Sequence, residues 1–85
     1  MKKSEPVEDS GSQGVLQRAF AVVRALADAK GEKLRLTDIA ARTGQAQATV
    51  HRVLQGLVQE GMVEQPANSK GYQLSVAFFS LAAAA

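Results

Sequence analysis

Between positions 47 and 55 the chain reads Gln47-Ala48-Thr49-Val50-His51-Arg52-Val53-Leu54-Gln55, with five hydrogen-bonding side chains among nine residues. His51 is the only histidine and there is no cysteine. A zinc site takes several His or Cys ligands together, so neither a metal site nor a thiolate centre is expected. Acid–base catalysis needs a second titratable group converging on the first, and no such constellation is visible. The expectation is therefore a binding protein with no cofactor, not an enzyme. Arg52 can hold a phosphate or the edge of a guanine, Gln47 carries an amide suited to an adenine edge, and Gln55 lies one turn farther along, at the limit of reach to bases. Ala48 offers a methyl group, and Thr49 a hydroxyl near a helix N-terminus, where backbone amides favour anions. Each has a plainer reading: Arg52, Gln47 and Gln55 as solvated surface, His51 as solvated or helix-packing, Thr49 as a cap or packing residue.

Two helices must position these groups. Val50, Val53, Leu54, Leu57 and Val58 recur at helical spacing, which predicts a helix over about 47–60 with this apolar stripe inward. His51, Arg52, Gln55 and Ala48 then fall on its open side. A shorter helix is expected over 38–43, with Thr37 as its N-cap, Asp38 in its first turn, and Ile39 and Ala40 facing the core. Gly44 closes it in the left-handed region that glycine enters at least cost. Ala40, Gly44, Val50 and Val53 fall at the spacing of a helix-turn-helix, in which the outer face of the second helix enters the DNA major groove.

The remaining elements follow from pattern. Residues 1–14 are polar, with Pro6, Gly11 and Gly14, and are expected to form a disordered tail. Val15 to about Ala29 reads as a helix whose stripe is Leu16, Ala19, Phe20, Val23, Leu26 and Ala27, widened by Val22 and Ala25 so that more than one side is covered. Lys30 and Gly31 close it, and Leu34-Arg35-Leu36 is a short extended piece. Met62–Gln65 and Tyr72–Leu74 flank the turn formers Pro66–Gly71 and predict a hairpin. Lys70 at the turn can touch backbone phosphate or simply be solvated. Val76–Ala85 is apolar and helix-permissive, and it ends on Ala82–Ala85 with no cap or stop signal. The fold class expected is mostly α with a small β-hairpin: a three-helix core, a wing, and the start of a linker helix.

Charge fits this reading without demanding it. Residues 1–10 carry net −1 and residues 11–85 net +3, so the folded part is mildly basic. No apolar run suggests a signal peptide or a membrane span, and the absence of cysteine suits a reducing cytoplasm.

Taken together, these elements resemble the N-terminal DNA-binding domain of IclR-type bacterial transcription regulators. Leu16-Gln17-Arg18-Ala19-Phe20 resembles the family's L-x-R-A-L, and Leu36-Thr37-Asp38-Ile39-Ala40 its L-S-E-I-A. Thr49-Val50-His51-Arg52 reproduces T-V-H-R; Gly61-Met62-Val63-Glu64 and Tyr72-Gln73-Leu74 are similar to G-Y-V-E and Y-R-L. The turn departs from G-L-P-K-S, because Gln47 and Ala48 stand where basic and hydroxyl side chains are usual. Ser75 replaces the glycine after Y-R-L. The resemblance implies a domain over 15–75 and a homodimer on a roughly palindromic double-stranded DNA operator. Arg52, His51, Gln47 and Ala48 would face base edges, with Gln55 one turn farther along. Thr37, Thr49, Gln45 and Lys70 would position the DNA backbone. It also implies a following effector-binding domain, reached through the helix that starts at Val76, where a small-molecule effector would bind. The chain stops before such a domain, and a helix ending on four alanines reads as a fragment of a longer protein. A winged helix used as a protein-interaction module, without DNA contact, is the competing expectation, favoured by the departures at Gln47 and Ala48.

Overall fold

A computed structural model describes residues 14–85. The expected tail lies outside the described residues except for Gly14. The chain order is α1 (Val15–Asp28), β1 (Leu34–Arg35), α2 (Leu36–Thr43), α3 (Gln47–Gln59), β2 (Val63–Glu64), β3 (Gly71–Leu74) and α4 (Val76–Ala84).

The three strands form one antiparallel sheet in the order β1-β3-β2. The extended piece before α2 is thus a strand, pairing Leu34 with Tyr72 and Arg35 with Gly71. On the other edge Val63 pairs with Leu74 and Glu64 with Gln73. A single core joins helices and sheet: Val22 and Leu26, Leu34, Ile39 and Ala40, Val50 and Leu54, Val63, Tyr72 and Leu74. Burial of this apolar set is the main force holding three short helices, none long enough to persist alone. A mostly helical winged helix-turn-helix is therefore the fold.

Local chemistry fixes the helix ends. α2 starts earlier than the sequence suggests: Arg35 is its N-cap and Thr37 its second residue. Thr37 is thus corrected from cap to exposed first-turn residue; the capping is done by Asp38, whose Oδ2 accepts from the Arg35 N–H at 3.0 Å. Gly44 ends α2 at φ 70°, and its N–H donates to the Ala40 carbonyl at 2.9 Å. The Thr43 hydroxyl donates back to the Ile39 carbonyl at 2.8 Å. After α3, Gly61 adopts φ 76° and the Met62 N–H donates to the Leu57 carbonyl, turning the chain into β2.

α4 is capped at its N-terminus. The buried Ser75 hydroxyl accepts from the Phe78 N–H at 3.1 Å and donates to the Gly61 carbonyl at 2.6 Å. The same residue's N–H donates to the Met62 carbonyl. One serine thus ties the start of α4 to the end of α3. No helix among the described residues is long and apolar enough to cross a membrane.

The apolar side of α1 is the main correction. Its buried residues are Val22, Ala25 and Leu26. Leu16 and Phe20, expected in the core stripe, are 70% and 52% exposed, and Ala27 is exposed as well. Val58, placed on the inner stripe of α3, is also exposed.

Candidate nucleic-acid interface

α3 buries Val50 and Leu54 against the core and half-buries Val53 and Leu57. At about 100° per residue the opposite ridge of the helix is Ala48, Arg52, Gln55 and Gln59, and all four are exposed. Gln47 and His51 occupy the shoulder next to this ridge and are exposed too. The Gln55 amide nitrogen lies 3.5 Å from His51 Nε2, one turn apart on the same face. α3 has no acidic residue before its C-cap, Glu60, so nothing on this face repels a polyanion.

Two shallow hollows flank the ridge. On the wing side, Thr37 from the first turn of α2, His51 from α3 and Lys70 from the wing line one hollow, together with Arg35, Gln65 and Tyr72. Three separate elements therefore bring a hydroxyl, an imidazole and an ammonium to one concave surface. On the α1 side, Thr49 and Arg52 line a groove with Arg18, Val53 and Glu60. His51 and Arg52, adjacent in sequence, thus serve opposite flanks of the same helix.

Hydrogen bonds order the wing turn that carries the exposed Lys70. Asn68 takes φ 65°, a left-handed value that asparagine tolerates. The Ser69 N–H donates to the Pro66 carbonyl at 3.1 Å, and the Ser69 hydroxyl accepts from the Gly71 N–H at 3.0 Å. Gln73 Nε2 donates to Glu64 Oε2 at 2.6 Å across the strands below. Gly71 approaches Lys33 so closely that a Cβ there would lie 2.6 Å from the Lys33 Cβ.

Of the sequence-predicted residues, Thr37, Gln47, Ala48, His51, Arg52, Gln55 and Lys70 are exposed around α3 and the wing, and Thr49 is half-buried at the start of α3. Gln45 stands apart. Its Nε2 donates to the Arg18 carbonyl at 3.3 Å, and its Oε1 is buried without a hydrogen-bond partner. That side chain ties the turn to α1. Sequence reasoning missed Arg35, Gln65 and Gln59: the first two enter only through the sheet, and Gln59 follows from continuing the Ala48–Arg52–Gln55 spacing. Among the described residues no group of three or more His, Asp or Glu side chains could hold a metal ion.

Comparison with known proteins agrees with this fold. The pattern of the IclR helix-turn-helix domain matches residues 15–67. The glycerol operon regulatory protein of Streptomyces coelicolor is 44% identical over 66 residues, covering 78% of this chain and 26% of that protein. The HTH-type transcriptional regulator BhcR of Paracoccus denitrificans is 36% identical over 72 residues, covering 85% of this chain and 25% of its own length. Among solved structures, an IclR family transcriptional regulator from Brucella abortus superposes with a TM-score of 0.74 at 31% identity, covering 87% of this chain and 28% of that one. The chain spans about a quarter of the length of the curated relatives it matches. Sequence pattern, relatives and fold agree, and the chain belongs to the IclR family of transcription regulators, whose helix-turn-helix domain it carries.

Proposed function

We propose that this domain binds double-stranded DNA sequence-specifically to regulate transcription, with α3 in the major groove and the wing, residues 66–71, on the backbone or in the minor groove. The observation that carries the reading is the convergence of Thr37, His51 and Lys70, from three elements, beside an exposed α3 ridge without acidic residues. A helix in the major groove needs partners on both sides to grip the flanking phosphates. In this reading Gln47, Ala48, His51 and Arg52 face base edges, with Gln55 farther along the groove. Thr37, Thr49 and Lys70 position the backbone, and Gln45 acts by holding the turn against α1.

The working unit in this reading is a homodimer on a two-fold operator, with recognition helices about 34 Å apart or at a multiple of that spacing. Support comes from the apolar residues left outside the core: Val15, Leu16 and Phe20 on α1, and Val76, Phe79 and Leu81 on α4. Patches of this kind mark contacts with other surfaces. A small-molecule effector would act through a domain outside this chain, and the cytoplasm is the compartment where such a regulator meets its operator.

The test is enrichment of bound duplexes from a randomised pool, followed by fluorescence anisotropy on the winner. Arg52→Ala should weaken the selected site by about 1–3 kcal/mol and relax preference at one base pair. Lys70→Ala should weaken all duplexes about equally and lower the salt slope by about one. The second reading, a protein-interaction module, draws on Gln47 and Ala48 standing where the family usually has a basic and a hydroxyl side chain. A pool that yields no preferred sequence, with affinity unchanged by either substitution, would favour it.

A further inference from the structure

Ala48 is exposed on the ridge of α3 opposite the core, in its first turn, with Arg52 one turn behind it on the same ridge. The first turn of a recognition helix reaches deepest toward base edges. An alanine there has only a methyl group to offer. It neither donates nor accepts, so it discriminates among bases only by apolar contact or by exclusion. The thymine 5-methyl is the apolar feature that the four ordinary bases present in the major groove. Next to Ala48, the exposed Gln47 carries an amide that matches adenine in two hydrogen bonds. Both residues at the tip of the helix therefore suit an A·T-containing step. The Ala48–Arg52 separation of one helical turn is about 6 Å, which spans about two base pairs. Neither neighbour of Ala48 crowds it: Thr49 turns toward the α1 groove, and Gln47 lies on the His51 shoulder.

We infer that Ala48 is a specificity-determining residue that reads a thymine 5-methyl group in each half-site, within about two base pairs of the base pair contacted by Arg52. The inference rests on the DNA-binding reading above and adds the base class and the atom that is read. Burying one methyl group against another is worth about 0.8 kcal/mol, or about a fourfold change in affinity.

The test uses the whole chain and the duplex selected from the randomised pool. Each thymine of one half-site is replaced in turn by deoxyuridine, which removes the 5-methyl and keeps the pairing. Anisotropy should show about a fourfold loss at one thymine and little change at the others. Ala48→Gly should bind the thymine and uracil duplexes equally, with the fold checked by circular dichroism. Ala48→Ser, which adds a hydroxyl at this point, should move the preferred base at that position in a repeated selection. If no thymine is sensitive, or if the sensitive one stays sensitive in Ala48→Gly, the inference is overturned while DNA binding stands. A pool without any preferred sequence would instead overturn the DNA reading and this inference together.

Discussion

Two glycines should respond to the same substitution with opposite signs. Gly71 lies in β3, paired with Arg35, and an added Cβ would sit 2.6 Å from the Lys33 Cβ and 3.5 Å from both the Lys33 carbonyl carbon and the Ser69 hydroxyl. Ordinary carbon contacts lie near 3.5–4.0 Å, so about 1 Å of movement is needed. The opposing atom is one bond from the backbone and cannot swing aside, so the β1–β3 pairing itself must open. Overpacking of this kind costs about 1–3 kcal/mol. Gly56 lies inside α3, where an added Cβ meets nothing within 4 Å. Alanine there removes backbone freedom from the unfolded chain and should stabilise by about 0.5–1 kcal/mol. For a domain of this size each kcal/mol moves the melting temperature by about 4–8 °C. Thermal unfolding followed by circular dichroism should therefore place Gly71→Ala about 5–20 °C below the parent and Gly56→Ala a few degrees above it. A Gly71→Ala protein that melts with the parent, its Lys33–Arg35 amide resonances unmoved, would show that the strand contact is not tight and that the wing is not anchored as described.

Ser75→Ala should cost about 1–3 kcal/mol in urea unfolding, because α4 loses its cap and the Gly61 carbonyl its donor; an unchanged midpoint would remove Ser75 as the link between α3 and α4. Gln45→Ala should lower stability by about 1 kcal/mol while leaving the affinity of the folded domain for DNA unchanged, since its amide serves the Arg18 carbonyl. An about equal loss of affinity for every duplex, with the melting point unmoved, would instead mean that Gln45 turns outward to meet a phosphate. Phe20→Ser and Phe79→Ser, both at exposed sites, should shift sedimentation toward monomer without lowering the melting point of the monomer itself. A chain that stays monomeric up to millimolar concentration would refute pairing through these faces.

The helix-turn-helix is legible because it is local. Gly44 must take a left-handed φ, and Val50 and Leu54 must turn inward within four residues of one another. Such constraints lie within one stretch of chain, where spacing alone reveals them. The sheet was less legible. Leu34 and Arg35 pair with Tyr72 and Gly71, residues nearly forty positions away, and two residues are too few to show alternation. Missing that pairing also misplaced the start of α2, because Arg35 is at once the end of β1 and the cap that Asp38 serves. The hollow shared by Thr37, His51 and Lys70 follows from the same pairing, since β1 leads directly into the first turn of α2 beside the wing.

α1 failed for a different reason, and it bears on assembly. Its sequence holds two apolar stripes, Val22, Ala25 and Leu26 on one side and Leu16, Phe20 and Ala27 on the other, and helical spacing cannot say which one the core takes. Spacing alone grouped Leu16 and Phe20 with Leu26 in the main stripe and left Val22 and Ala25 as its flank. The structure places Ala25 in the core instead and leaves Phe20 outside. A small residue on the buried side lets α1 approach closely, which a core with room for few side chains favours. α4 repeats the pattern: it buries no residue fully, only half-buries Phe78 against the core, and leaves Phe79 exposed with the Phe78 ring edge-on to it at 5.8 Å. Large apolar side chains left exposed on these two helices are available to a surface beyond the core of the described residues. Spacing alone therefore cannot tell a core face from an exposed apolar face where one helix carries both.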